Sequence, residues 1–209
     1  MAQILKEELR NQILQASKEE FLQKGYKDAS LRCIAKKAHM TVGNLYRYFE
    51  NKEDINNKIV EPCLIELEKL LNDETDNQLS FFKVNKSFNL DKDSMLKAID
   101  NIIDKVIDIY DEYKVEFQIL MMDSELSAGL KHWFANLVKN LIKNNCPFIG
   151  FDKELVTMSN SYSNAIFAGF KELLKSDYNN ERMKLLSKIY FRSYVYMLNS
   201  DIKEMINSI

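Results

Sequence analysis

The chain has 209 residues, 46% of them hydrophobic, with only 5 Gly and 2 Pro, which excludes a disordered chain and favours a helical globular protein. It has no run of about 20 apolar residues and no apolar leader after Met1, so a cytoplasmic protein without a membrane partner is expected. The net charge is −2, but residues 1–60 carry 11 Lys or Arg against 8 Asp or Glu, whereas the remainder carries 18 against 23.

Four helix signals follow one another in the first 60 residues. Apolar residues at helical spacing predict a first helix over about 3–24, which Gly25 ends in the left-handed conformation. Ser30, Thr41 and Asn51 are predicted N-caps of a second, a third and a fourth helix. The side chains expected to face inward from the second and third helices are apolar or aromatic: Leu31, Ile34, Ala35, Ala38, Leu45, Tyr48 and Phe49.

Two short helices one turn apart, the second too short and too polar for a core helix, are typical of a helix-turn-helix, here at about 30–49. Arg47 and Asn44 suit guanine and adenine edges in the major groove. Lys52 stands at a helix N-terminus, where backbone N–H groups favour a phosphate. The predicted DNA-binding residues share an outward or terminal position on these helices: Ser30, Arg32, Thr41, Val42, Gly43, Asn44, Tyr46, Arg47 and Lys52.

The fourth helix carries an apolar stripe at positions 55, 59, 63, 67 and 70, with Pro62 inside it. Proline removes one backbone hydrogen bond and clashes with the preceding turn, so we expect a kink near 58–62. The alternative is that one helix ends there and another begins. Residues 73–93 fit a loop, an extra hairpin or a partly disordered segment. Periodicity then predicts helices over about 94–110, 115–122, 125–144, 153–175 and 181–199.

Aromatic and sulfur-containing side chains are concentrated in the middle of the chain. They could form the walls of a pocket for an apolar or aromatic small molecule, although ordinary core packing is the alternative for each of them. The candidate pocket residues are Tyr110, Tyr113, Phe117, Met121, His132 and Trp133. The three cysteines lack metal-ligand spacing, and no phosphate loop or nucleophile motif occurs. No metal, no cofactor and no enzymatic activity are therefore expected.

The last two predicted helices combine small residues, which allow close helix approach, with large apolar ones. Paired across a two-fold axis they would form a four-helix interface, and two-fold dimers are the commonest homo-oligomers. The candidate interface residues are Tyr162, Ala165, Ile166, Gly169, Phe170, Leu173, Tyr190, Tyr194 and Met197. A dimer would present two recognition helices to successive major grooves, about 34–36 Å apart.

The order of features in the first 60 residues resembles a known family. The residues that carry the resemblance are Phe21, Gly25-Tyr26, Ser30, Ile34-Ala35, Ala38, Thr41-Val42-Gly43-Asn44-Leu45-Tyr46, Phe49 and Lys52-Glu53. Over about 5–60 they look like the N-terminal domain of tetracycline-repressor-type (TetR family) regulators. Met40 stands where that family often has Val, and Val42 where Lys or Arg is frequent, so one DNA contact of the family is in doubt here.

The resemblance implies an all-α bacterial protein of about nine helices that forms a homodimer. It implies a three-helix DNA-binding domain at 1–52 and a larger ligand-sensing and dimerisation body at 53–209. The function expected is a repressor that a small molecule releases from a palindromic double-stranded operator. Two alternatives remain: an architectural or cell-division factor with the same head and no inducer, and a helical interaction protein whose head has lost DNA binding.

Overall fold

The computed structural model describes residues 2–77, 92–122, 127–128, 131–132, 135–136, 138–139, 152–176 and 178–200. In these ranges the chain is helical and contains no strand, which confirms the predicted all-α class. The helices with defined ends are α1 (Ala2–Asp28), α2 (Leu31–Lys37), α3 (Val42–Leu45), α4 (Lys52–Asn77), α5 (Lys92–Glu112), α6 (Lys114–Met122), α7 (Asp152–Leu174) and α8 (Asn180–Ser200). None of the helices in these ranges is long and apolar enough to span a membrane.

The helix α1 is broken at Gly25, where the backbone takes φ 74° and ψ 164°. The predicted positive φ is confirmed, but ψ is extended and does not have the left-handed helical value. One further helical turn follows the break, and the Ala29 N–H donates to the Gly25 carbonyl at 3.2 Å. The assigned helix therefore reaches Asp28, beyond the predicted end at 24.

Two of the three predicted N-caps are confirmed. The Thr41 hydroxyl accepts from the Asn44 N–H at 3.2 Å, and the Asn51 side-chain oxygen accepts from the Asp54 N–H at 2.8 Å. Ser30 occupies the N-cap position of α2 in extended conformation, but its side chain makes no capping hydrogen bond, so that part of the prediction is wrong. Backbone conformation alone therefore starts α2.

The helix α3 is shorter than predicted, because regular helix ends at Leu45 and a tight turn continues to Phe49. In that turn the Arg47 N–H donates to the Asn44 carbonyl and the Tyr48 N–H to the Leu45 carbonyl, at 3.1 and 2.9 Å. These are three-residue steps, which wind the backbone more tightly than an α-helix does. The recognition segment is thus one helical turn followed by a tighter turn.

The helix α4 runs through Pro62 without interruption, so the alternative of two separate helices is wrong. Its predicted stripe is confirmed at five positions, and all five side chains are buried: Ile55, Ile59, Cys63, Leu67 and Leu70. Burial raises the pKa of the Cys63 thiol to about 12, which keeps it protonated at neutral pH. In the segment 73–93, residues 73–77 continue α4 and residues 92–93 begin α5, while 78–91 lie outside the described residues.

The chain forms two compact units. The head unit comprises Met1–Leu67 and Glu112–Ser127, and the body unit comprises Glu68–Asp111 and Ala128–Ile209. Phe21, Ile34, Leu45 and Phe117 are among the most deeply buried side chains of the head unit. The predicted boundary at 52/53 separates a DNA-binding domain from a ligand-sensing body, whereas the two units are defined by packing. The boundary therefore stays a prediction.

In the body unit α7 and α8 pack around a small core that Leu96, Leu155, Ile166 and Val195 share. Three carboxylates of α5 face three cations of α8, pairing Asp100 with Arg192, Asp104 with Lys188 and Asp108 with Lys184. The second and third pairs are 2.6 Å apart. We call this set the ion-pair ladder; both sides repeat every four residues, as one helix face requires.

Candidate nucleic-acid interface

The helix-turn-helix buries one face and exposes the other. Ile34 and Ala35 of α2, Ala38 directly after it, Leu45 of α3, and Phe49 in the turn after α3 are all buried. A methyl group at Ala35 and Ala38 leaves room for the neighbouring backbone, which larger side chains would displace. The inner face therefore fixes how the recognition segment lies on the rest of the head unit.

The outer face carries the predicted DNA-binding side chains. Arg32, Thr41, Gly43, Tyr46 and Arg47 are exposed, and Tyr46 exposes 52% of its surface although it is a large aromatic residue. The remaining predicted residues are half-buried: Ser30, Val42, Asn44 and Lys52. The structure thus brings the predicted residues of α2 and α3 to one accessible region of the head unit.

The seven basic residues of segment 24–52 fall into two groups. Four have side chains without a hydrogen-bond or ion-pair partner among the residues that the structure describes: Lys27, Arg32, Lys36 and Arg47. The other three are engaged inside the head unit: Lys24, Lys37 and Lys52. Only the side chains of the first group are free to pair with an external anion. The number of basic residues in the segment therefore overstates the positive charge available for phosphates.

Glu20 organises two of the engaged lysines. This α1 carboxylate is almost completely buried and pairs with Lys24 at 2.9 Å and with Lys37 of α2 at 3.1 Å. The ion pair with Lys24 and that with Lys37 lower the pKa of Glu20 in spite of its burial. A buried charge with two cationic partners holds α2 against α1.

Lys52 is held by backbone carbonyls. Its ammonium donates to the carbonyls of Tyr26, Lys27 and Ala29 at 2.7, 3.0 and 3.1 Å. It also lies 4.8 Å from the centre of the Tyr26 ring, within the range of a cation–π contact. The phosphate contact predicted for Lys52 stays a prediction, and in this structure the ammonium is already occupied.

The turn between α2 and α3 depends on a left-handed residue that is not glycine. His39 takes φ 54°, its N–H donates to the Lys36 carbonyl at 3.1 Å, and the Met40 N–H donates to the Ala35 carbonyl at 2.9 Å. These two bonds form a Schellman motif, in which a left-handed residue closes the end of a helix. The motif sets the direction in which the chain enters α3.

Comparison with known proteins agrees with this geometry. Residues 13–59 match the model of the family described as bacterial regulatory proteins, tetR family. This N-terminal domain belongs to the TetR family. The matched residues contain the helix-turn-helix, formed by α2 and α3, and the adjoining parts of α1 and α4. The predicted resemblance is confirmed.

Two similar proteins extend the comparison beyond the TetR-family domain. The chain is 32% identical over 69 residues to the uncharacterized HTH-type transcriptional regulator YhgD of Bacillus subtilis (strain 168), a match that covers 33% of this chain and 36% of that protein. A TetR-like transcriptional regulator from Rhodococcus sp. RHA1 has a similar fold, with a TM-score of 0.55 and 13% identity over 89% of this chain and 95% of that chain. At that identity the likeness concerns the fold alone.

The predicted pocket residues are distributed over both units. In the head unit Phe117 and Met121 are buried, and a hydrogen bond with Glu112 raises the pKa of the half-buried Tyr113. In the body unit Tyr110 is buried and its hydroxyl donates to the Leu174 carbonyl at 2.9 Å, whereas His132 is exposed. Trp133 lies outside the described residues, and the pocket stays a prediction.

Several predicted dimer residues have partners in their own chain. Ile166 and Phe170 of α7 are buried in the body unit, and the Tyr190 hydroxyl donates to the Ile166 carbonyl at 2.9 Å. Tyr190 also lies directly against Gly169, where an added methyl group would come within 2.1 Å of the hydroxyl oxygen. The other predicted interface residues are half-buried or exposed: Tyr162, Ala165, Leu173, Tyr194 and Met197. A contact of these residues with a second copy stays a prediction.

Two groups of residues in the structure were not predicted from the sequence. It did not find the buried Glu20, although the Glu20 and Lys24 spacing of four residues is a recognisable helix ion pair. It also missed the exposed apolar side chains Leu185 and Tyr196 on α8, which with Ile189 repeat at intervals of four and seven residues along one helix face. Searching α8 for a second apolar face would have found them.

Proposed function

We propose that this protein is a homodimeric transcriptional regulator that binds operator DNA through two copies of the TetR-family domain. The observation that carries the proposal is the two-faced helix-turn-helix, with a buried apolar inner face and an outer face whose cationic side chains have no partner among the residues that the structure describes. Such a unit offers its outer face to a major groove. Arg32 can contact the backbone and Arg47 the base edges.

The charge distribution supports a single DNA-binding face. The net charge of −2 opposes association with DNA over the whole surface, whereas the exposed arginines of α2 and of the turn after α3 lie close together in sequence. Phosphate contacts from such cations release counterions, which makes affinity fall steeply with salt. We therefore expect binding to be salt-dependent and restricted to the head unit.

The dimer part of the proposal is supported by α8 and α7. Leu185, Ile189 and Tyr196 expose between 45% and 57% of their surfaces along one face of α8. On α7 the exposed positions include Ser161, Ala165 and Ala168, whose small side chains permit close approach of another helix. A second copy that covers both faces would remove this apolar surface from water and would supply the second head for a palindromic operator.

The regulatory part of the proposal is that an apolar or aromatic small molecule binds the protein and releases the operator. It is supported by the aromatic and methionine side chains in the middle of the chain and by the family to which the N-terminal domain belongs. The rival function, an architectural DNA-binding protein, has no inducer. Compounds that raise the melting temperature of the free protein should also weaken operator binding under the proposed function.

The test uses the duplex that the wild-type chain enriches from a random 30-bp library, with fluorescence anisotropy as the readout. Arg47→Ala should weaken binding by at least about tenfold, because one good base contact contributes roughly 1–3 kcal/mol. Lys175→Ala, which removes an exposed cation directly after α7, is the control and should leave the affinity within about twofold. If the wild-type chain enriches no duplex, or binds equally at 50 and 200 mM salt, DNA is not its partner.

A further inference from the structure

We propose that the ion-pair ladder neutralises the cations beside the exposed apolar side chains of α8, and that this neutralisation allows two copies of the chain to associate through α8. The three carboxylates of α5 would then control self-association although α5 lies outside that apolar surface. The inference rests on the dimer part of the proposed function and adds the residues that permit it. We call the exposed side chains of Leu185, Ile189 and Tyr196 the apolar row.

The helices α5 and α8 carry opposite charges. The sequence of α5 contains six carboxylates and three lysines, whereas that of α8 contains four cations and one carboxylate. Three of the four cations of α8 belong to the ladder: Lys184, Lys188 and Arg192. By itself α8 is therefore a strongly basic helix, and in the body unit α5 balances its charge.

The cations of the ladder lie directly beside the apolar row. Lys184 precedes Leu185 by one residue and Lys188 precedes Ile189 by one residue, which places the side chains of each pair about 100° apart around the helix. An open groove of about 760 Å³ has Asp104, Lys184, Lys188 and Leu185 among its walls. The ladder and the apolar row thus share one surface of the body unit.

Two-fold symmetry restricts the charge that such a surface can carry. A two-fold interface places the same patch of both copies face to face, so a patch that attracts its own copy cannot carry a large uncompensated charge. Like charges brought together across an interface oppose association. Association through the basic helix α8 therefore requires negative charge from elsewhere in the same chain.

The ladder supplies this charge at each cation beside the row. Asp104 and Asp108 lie 2.6 Å from Lys188 and Lys184, and the Nε of Arg192 donates to the third carboxylate of the ladder at 2.8 Å. The three cationic side chains remain 19%, 28% and 42% exposed, so their charge would act at the surface if the carboxylates were absent. Exposed pairs add little to the stability of a single chain, which leaves room for a role in association.

Sedimentation velocity of the full chain at 0.1 M salt tests the role of one carboxylate. Asp104→Asn should raise the dissociation constant of the dimer by about tenfold, because Lys188 is left uncompensated in both copies. Asp111→Asn is the matched control, since it removes the same charge from an exposed position of α5 outside the ladder. It should stay within about twofold of the wild-type constant. Equal constants for Asp104→Asn and the wild-type chain would overturn the proposal.

Salt separates repulsion between cations from a lost alignment of the two helices. The Debye length falls from about 10 Å at 0.1 M salt to about 3 Å at 1 M, so uncompensated cations repel each other much less at the higher concentration. The Asp104→Asn dimer should therefore approach wild-type affinity at 1 M salt. A defect of the same size at both concentrations contradicts neutralisation.

Removing the cation as well gives the sharpest comparison. Methionine keeps an unbranched apolar chain at position 188 without the charge, so Lys188→Met should restore association in the Asp104→Asn background. The double variant should come within about threefold of the wild-type constant at 0.1 M salt, because the lost pair itself contributes little. If the ladder acted only by aligning α5 with α8, the double variant would associate as weakly as Asp104→Asn, and the proposal would be wrong.

The same measurements separate this inference from the proposed function. A wild-type chain that is monomeric at every concentration would overturn both the proposed dimer and the role of the ladder. A wild-type dimer that Asp104→Asn does not weaken would overturn the role of the ladder alone. Asp108→Asn, which leaves Lys184 uncompensated, repeats the test at another pair, and thermal unfolding of each variant establishes that it is folded.

Discussion

The head unit and the body unit both join helices through ion pairs, but they place the charges differently. In the head unit Glu20 is buried and both of its lysine partners come from the same small domain. In the body unit the members of the ion-pair ladder remain between one-fifth and three-fifths exposed. Exposed pairs contribute little each and are screened by salt, whereas a buried carboxylate requires its partners.

The two arrangements suit different ends. A buried, doubly paired carboxylate fixes the position of α2 on α1, as a DNA-reading surface needs. The ladder repeats every four residues on both α5 and α8, so it specifies the alignment of two long antiparallel helices while adding little stability at each step. The head unit is thus predicted to resist salt, and the alignment in the body unit to respond to it.

The largest expected effect comes from the packing core of the head unit. Leu45→Ala removes a fully buried side chain from α3 and should lower the free energy of unfolding by about 2–5 kcal/mol. Ile65→Ala, at an exposed position of α4 in the same unit, should cost less than about 0.5 kcal/mol. Urea denaturation of both variants measures the difference. Equal losses would mean that the recognition segment is not held by its inner face.

A smaller effect is expected where α7 and α8 meet. Gly169→Ala would place a methyl group against the Tyr190 hydroxyl, so the ring must move and its hydrogen bond to the Ile166 carbonyl is lost. Overpacking and the lost bond together should cost about 1–3 kcal/mol. In a double-mutant cycle with Tyr190→Phe, measured by thermal unfolding, the second substitution should relieve part of the first. Strictly additive losses would show that the two residues do not act on each other.

The smallest expected effects are the changes of stability with pH and salt, which should differ between the buried Glu20 pair and the ion-pair ladder. The pKa values of Glu20 and Asp108 are both lowered, by hydrogen bonds from Lys24 and Lys184 respectively. Their pairs therefore stabilise the folded chain above the ordinary carboxyl range of about 4, and the stabilisation is lost as the pH falls through the lowered values. Acid should weaken both units, whereas 1 M salt should weaken mainly the body unit.

Hydrogen exchange resolved by region measures these responses. Glu20→Gln should reduce the acid sensitivity of the head unit, and Asp108→Asn that of the body unit by a smaller amount. Salt sensitivity should fall only in Asp108→Asn. If salt destabilises the head unit of the wild-type chain as much as its body unit, burial does not distinguish the two arrangements.

The sequence predicted the helices well where caps and periodicity agree. The predicted ranges 153–175 and 181–199 lie within one residue of α7 and α8 at each end, because apolar periodicity is strong in both helices and turn residues separate them. The prediction failed for α3, since a four-residue helix has too little periodicity to define its end. The prediction of a Ser30 cap was wrong because residue type shows only that a side chain can cap a helix. It does not show that the capping hydrogen bond forms.

The outward side chains of the candidate interface could be predicted, but the partners of the lysines could not. Arg32, Tyr46 and Arg47 lie on a helix face that the spacing of buried residues already defines. The contacts of Lys52 join residues 23 to 26 positions apart, a separation that local sequence pattern does not encode. Likewise, Gly169 and Tyr190 suggest helix contact, but sequence cannot say whether the two helices belong to one chain or to two.

The Schellman turn at His39 has a consequence for how this domain can change. A left-handed residue with a side chain costs about 1 kcal/mol more than glycine, so His39→Gly would relax the backbone there while also enlarging the unfolded ensemble. The bend is made by main-chain bonds, and the imidazole is exposed. Position 39 can therefore accept other polar side chains, Asn and Asp above all, without redirecting α3. Substitutions at position 39 would change the side chain that the Schellman turn exposes and would leave the orientation of α3 unchanged.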